Sequence, residues 1–164
     1  MNIIRSFNEI PYHAFLDTIK QKIKEEIYGK NKDYILNVDE SEYIEYLNNY
    51  FILLPLKILD KTEIINEPKI VQEKREDPFY RRQYIVDTYE FSAKYQFEGS
   101  PILFRVQPNP WSMTSYDIYV DSKAMIVSFK FKITEKDVEK FNREKSDAYH
   151  CSFKNIENIN KNVV

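Results

Sequence analysis

Apolar and polar side chains are ordered most clearly over residues 84–133. Tyr89-Glu90-Phe91-Ser92-Ala93-Lys94-Tyr95-Gln96-Phe97 alternates almost without a break. A period of two sends Tyr89, Phe91, Ala93, Tyr95 and Phe97 to one sheet face and Glu90, Ser92, Lys94 and Gln96 to the other. Glu98-Gly99-Ser100-Pro101 then reads as a turn in which Gly99 is free to take a positive φ, and residues 102–106 as the return strand. Pro108-Asn109-Pro110-Trp111-Ser112 is a loop, because two prolines do not fit a central ladder. Residues 116–120 and 125–133 supply two more strands around Asp121-Ser122-Lys123, and turns this short join antiparallel neighbours.

The flanking segments change period. Phe15, Ile19, Ile23 and Ile27 recur every four residues, an amphipathic helix that Gly29 is placed to end in a left-handed C-cap. Acidic residues share its polar face with the lysines, which favours packing on the sheet over a membrane surface. After the short apolar segment Tyr34-Ile35-Leu36-Asn37-Val38, Asp39 or Ser41 caps a second helix whose inward stripe is Tyr43, Leu47 and Tyr50. Residues 56–58 and 62–65 are candidate strands, and the charged run 71–78 reads as an exposed loop. Thr134 opens a third helix as N-cap, and Val138, Phe141, Ala148, Ser152, Ile156, Ile159 and Val163 keep a three-four spacing that no glycine or proline stops. The pattern predicts an α+β fold. N-terminal helices pack on a mainly antiparallel meander over 1–133, and a long C-terminal helix over 134–164 leaves as a stalk toward a downstream domain.

Composition narrows the function classes. The 164 residues are 43% hydrophobic with thirteen tyrosines and eleven phenylalanines, enough for one aromatic-rich core without staples. Gly29 and Gly99 are the only glycines, so there is no Gly-rich phosphate loop. A net charge of −2 sets up no global attraction to nucleic acid or anionic lipid. Cys151 is alone, so an internal disulfide is excluded and a reducing cytoplasm is expected. No run approaches the roughly 20 apolar residues of a spanning helix, so no membrane partner is expected.

Candidate chemistry is sparse, and neither a cofactor nor a metal is expected. Asp60 with Glu67-Pro68-Lys69 matches the aspartate and Glu-x-Lys spacing of a Mg-dependent nuclease core, but the central proline removes a ladder donor where such a core needs a buried strand. His13, His150 and Cys151 are too few for a structural zinc, and nothing places a base beside Cys151. Arg81 and Arg82 with Tyr80, Tyr84 and Arg105 form a basic and aromatic set suited to stacking bases and contacting phosphates. Trp111 is a loop anchor or an exposed contact residue.

Two segments carry a resemblance. Residues 33–47, from Asp33-Tyr34-Ile35-Leu36 to Glu45-Tyr46-Leu47, resemble the opening signature of a family of large uncharacterised bacterial proteins, and Phe97-Glu98-Gly99-Ser100-Pro101-Ile102-Leu103-Phe104, followed by Pro108, resembles its second landmark. Glu67-Pro68 matches a dipeptide of that family's first strands. Ser100 stands where an aspartate is usual and Gln107 where an arginine is common. In the family a non-catalytic N-terminal module precedes a long helix and a restriction-endonuclease-like nuclease domain, in defence-associated systems. The resemblance therefore implies a non-enzymatic module that assembles, senses or positions a nuclease-type effector, with a downstream nuclease-like domain or protein as partner and the C-terminal helix as a possible oligomer contact. Nucleic acid is the alternative partner, through Arg81, Arg82 and Arg105. Gly99, Ser100 and Trp111 mark the loops at the sheet's rim where an interaction is expected.

Overall fold

A computed structural model describes residues 2–29, 39–113 and 116–163; the apolar segment 34–38 and the end of the 108–115 loop lie outside them. The chain begins with two short strands, β1 (Asn2–Arg5) and β2 (Ile10–Pro11), and two helices, α1 (Tyr12–Tyr28) and α2 (Glu40–Phe51). Strands β3 (Lys57–Ile65), β4 (Lys69–Glu76) and β5 (Gln83–Glu98) follow, then a 3-10 turn (Pro101–Arg105), β6 (Val106–Gln107), β7 (Asp117–Asp121) and β8 (Ile126–Ile133). Helices α3 (Val138–Phe153) and α4 (Ile156–Val163) complete the order. This is the expected α+β class, with an antiparallel sheet and a helical segment after it.

The sheet runs β1-β7-β8-β5-β3, and β4 pairs with β5 as well. At 16 residues β5 spans about 50 Å at ~3.3 Å per residue, and it organises the rest. Its second half pairs with β3 and its first half with β4, while β8 covers Tyr89 to Gln96 on its other edge. β3 and β4 therefore behave as one long strand, shifted in register between Leu59 and Ile64 and interrupted at residues 66–68. Register places Ile4, Ile118, Phe129, Ala93 and Ile65 in one row across five strands. With Tyr95, Phe97, Val127 and Phe131, that row forms the core face of the sheet.

Helices α3 and α4 cover this face. Ala148, Phe153 and Ile159 are buried in the same core, and the Phe153 ring stands edge-on to Tyr95, Phe129 and Tyr149 at 5.0–6.3 Å between centroids. From Phe141 onward the stripe read as a stalk faces inward, because its apolar members pack against the core, while Val138 is exposed. The expected boundary at 133 thus runs through the core itself. The helix also breaks near Lys154 and Asn155, and its first cap is Asp137, whose carboxylate accepts from the Glu139 N–H, not Thr134.

Three asparagines of this last segment clamp extended backbone with both ends of the amide. Asn155 accepts from Ser112 N (2.9 Å) and donates to Ser112 O (3.1 Å). Asn160 does the same to Leu56 (2.8 and 2.8 Å), and Asn162 to Asn109 (2.8 and 2.8 Å). Each amide mimics a strand partner for backbone that has none.

Other expectations fail for identifiable reasons. Residues 71–76 are strand, not loop; both faces of the β4–β5 ribbon are largely solvated, so a strand with Val71 as its single apolar residue over this span is tolerated there. Residues 101–105 form a 3-10 turn in place of a return strand, with Pro101 in its first turn and Leu103 and Phe104 fully buried. Gly29 caps α1 at a right-handed φ of −73°, donating to Glu25 O. Asp39 caps α2 as expected, but of its inward stripe Tyr43 is buried while Tyr50 is exposed.

Candidate functional site

Polar side chains converge most closely where α3 crosses β3. The register shift between Leu59 and Ile64 turns Asp60 and Glu63 toward the helix, where Tyr149 donates to Asp60 Oδ1 (2.5 Å) and Lys145 to Glu63 Oε1 (2.9 Å). The other Glu63 oxygen accepts from the Tyr95 hydroxyl at 2.5 Å. Burial pushes both phenols up, and the carboxylates they face push them further, so each tyrosine stays protonated and donates. Burial pulls Glu63 upward, but the hydrogen bonds from Tyr95 and Lys145 outweigh it and hold the carboxyl below its usual range. Each of these carboxylates is already hydrogen-bonded, and the cluster forms a polar lock between helix and strand.

The Glu-x-Lys match does not assemble. Asp60 is held by Tyr149, whereas Glu67 lies in the interruption between β3 and β4 and Lys69 opens β4, both exposed. Among the described residues no group of three or more His, Cys, Asp or Glu side chains is arranged to hold a metal ion. His13 is exposed on α1, while His150 is exposed and Cys151 half-buried on α3.

The three arginines separate. Arg81 and Arg82 sit in the turn between β4 and β5, beside Phe79 and Tyr80, which are 89% and 77% exposed. Arg105 lies past the opposite end of β5 and is engaged by Glu9 at 2.8 Å. A strand of about 50 Å stands between them, so they do not form one patch. The Asp77 carboxylate shapes the turn by accepting from the Phe79 and Tyr80 N–H groups (2.8 and 3.3 Å).

The rim loops are held by their own chain. Gly99 takes φ 109°, and a Cβ there would sit 2.3 Å from Pro55 O. Ser100 meets Leu54 twice, through its Oγ (2.8 Å) and its N–H (3.0 Å). Trp111 is half-buried, with its Nε1 enclosed and unpartnered, inside the loop that Asn155 and Asn162 clamp. Anchoring, one of the two readings of Trp111, fits this placement.

No family model, curated protein or solved structure matches the chain. No helix among the described residues is long and apolar enough to cross a membrane.

Sequence reasoning missed a cation cluster. Arg75, Lys132, Lys140 and Arg143 line one cavity of about 270 Å³ between β4, the end of β8 and α3. No window of sequence could flag it, since the four residues span nearly 70 positions and meet only through the long ribbon and the helix that follows β8.

Proposed function

We propose that the chain is a non-catalytic interaction module that positions a nuclease-type effector, the role the sequence resemblance implies. The observation that carries this reading is the β4–β5 ribbon. Residues 83–88 of β5 pair with β4 alone, so this half of the strand projects past β8 and β3. This half and its turn bear Phe79, Tyr80, Tyr84 and Ile85, all exposed, with Tyr84 and Ile85 on opposite faces of the ribbon, on a framework braced at its base by the sheet. Large apolar side chains grouped on a projecting element suit a protein partner, with aromatic anchors at its centre. The test is co-expression with the nuclease-fold domain or protein encoded alongside this chain. Co-purification that Phe79→Ser with Tyr80→Ser abolishes is expected, while the circular dichroism of the double variant stays that of the wild type. Mg²⁺-dependent DNA cleavage by the purified chain itself would overturn the reading.

A second reading has one specific observation behind it: Arg81 and Arg82 directly follow the two exposed aromatics at the ribbon's tip. Such a tip suits base stacking and phosphate contact. Salt-dependent retention on single-stranded DNA, lost in Arg81→Ala with Arg82→Ala, supports it; no retention at low salt removes it.

A further inference from the structure

The cavity lined by Arg75, Lys132, Lys140 and Arg143 has an unbalanced charge. Glu144 is the one acid in its lining. Outside the lining, Glu73 answers two of the cations at once, Lys132 at 2.7 Å and Arg75 at 3.7 Å, and Glu135 answers Lys140 at 2.6 Å. Arg143 has no carboxylate partner among the described residues. Against Glu144, Glu73 and Glu135 the four cations keep an excess of one positive charge, carried by the unpaired Arg143, and an anion inside the cavity meets that guanidinium.

We propose that this cavity is a binding site for the diphosphate or phosphomonoester group of a small molecule. Two guanidinium groups present planar forks that match phosphate oxygens, two ammonium groups add charge, and the Thr134 hydroxyl is a further donor in the lining. A volume of about 270 Å³ gives space for a diphosphate. A second cavity of about 470 Å³, which shares Lys132 and Glu144 with the first and is also lined by Tyr116 and Tyr119, gives room for the rest of the molecule. The surroundings favour a compact ligand over a polymer. Glu73, Glu90, Asp117 and Glu135 interrupt the positive surface around the site, so an extended phosphate backbone leaving the cavity meets carboxylates. The site takes Arg75 from the ribbon but none of the residues 79–82 at its tip, and does not rest on the effector-positioning reading.

Calorimetric titration with inorganic pyrophosphate, at constant ionic strength set by sodium chloride, tests the assignment. Saturable binding at one site is expected. Arg143→Ala should weaken it by about tenfold or more, a loss of ~1.4 kcal/mol, while Arg81→Ala with Arg82→Ala leaves it unchanged. Because Arg143 makes no ion pair, the unliganded variant should melt with the wild type, which separates lost binding from lost folding. Absence of saturation overturns the proposal, as does an equal loss in the Arg81/Arg82 variant, which would mark diffuse charge. So does a single-stranded oligonucleotide whose binding needs Arg143 while pyrophosphate neither binds nor competes.

Discussion

Replacing Asn155 by alanine isolates the clamp that the last helices exert on the rest of the chain. Asn155 is 1% exposed, and its amide is joined to both polar groups of Ser112. Each hydrogen bond contributes about 1 kcal/mol net, and leaving a part-buried N–H and C=O unsatisfied adds about 1 kcal/mol or more. We expect a loss of about 3 kcal/mol, which for a domain of this size lowers Tm by about 6–12 °C. Urea unfolding followed by circular dichroism measures it, with the midpoint falling at unchanged slope. The other two clamps calibrate the argument. Asn160→Ala, whose clamp on the buried Leu56 is part-buried like that on Ser112, should cost about as much, and Asn162→Ala, whose clamp is exposed so that water can replace the amide, about 1 kcal/mol or less. Asn155→Asp retains the acceptor for Ser112 N but turns a carboxylate toward Ser112 O. That raises the carboxyl's folded-state pKa above its unfolded value, so its penalty is full at neutral pH and shrinks as pH falls through the folded value. Three equal losses, or an Asn155→Ala loss below ~0.5 kcal/mol, would refute the view that burial of the clamped backbone sets the cost.

Three further predictions test separate parts of the fold. Glu63 is held below the ordinary 4.5, so its stabilisation is complete above that pH and lost as pH falls through the folded value; Glu63→Gln should therefore flatten the acid limb of stability below that pH. With that side chain about a third exposed, the effect should stay under about 1 kcal/mol, and parallel limbs would contradict it. Gly99→Ala should cost about 2 kcal/mol or more in urea unfolding, because the substituent meets Pro55 O at 2.3 Å at a positive φ; a neutral outcome would show that the turn yields. A chain ending at residue 133 loses Ala148, Phe153 and Ile159 from the core, and we expect no cooperative unfolding transition; a sharp one would restore the boundary predicted from sequence.

What the sequence disclosed follows from which elements have one wet and one dry face. The second half of β5, β8 and α1 each bury a single stripe, so their periods of two and near four are written in the side chains. β4 is sheet with no dry face, and Lys69-Ile70-Val71-Gln72-Glu73-Lys74-Arg75-Glu76 carries no alternation to read. The 101–105 segment is apolar enough for a strand but is turned by Pro101 into a 3-10 coil, whose Phe104 carbonyl accepts from Phe7 N at 2.6 Å. The terminal asparagines look like an ordinary polar helix face, since nothing local says that Ser112, Leu56 and Asn109 await them. Of the expected site residues, Trp111, Gly99 and Ser100 were legible as loop positions. The grouping of Arg105 with Arg81 and Arg82 was not, because the length of β5 decides it. The cation cavity depends on the path of the ribbon and was beyond any spacing rule.

The long outer strand has one more consequence. Among the described residues β3 and β4 pair with β5 alone, so one side of residues 57–76 presents free N–H and C=O groups, a template on which a second chain can polymerise. The strand carries three deterrents of the kind that natural sheets use: a register shift at residues 59–64, Pro68 at the interruption, and charged side chains from Lys57 to Glu76. The charged side chains that hid β4 from pattern reading are thus also the kind that disfavours edge-to-edge pairing. Straightening that border, by removing Pro68 and neutralising Lys74 and Arg75, should turn the sheet edge into a fibril seed.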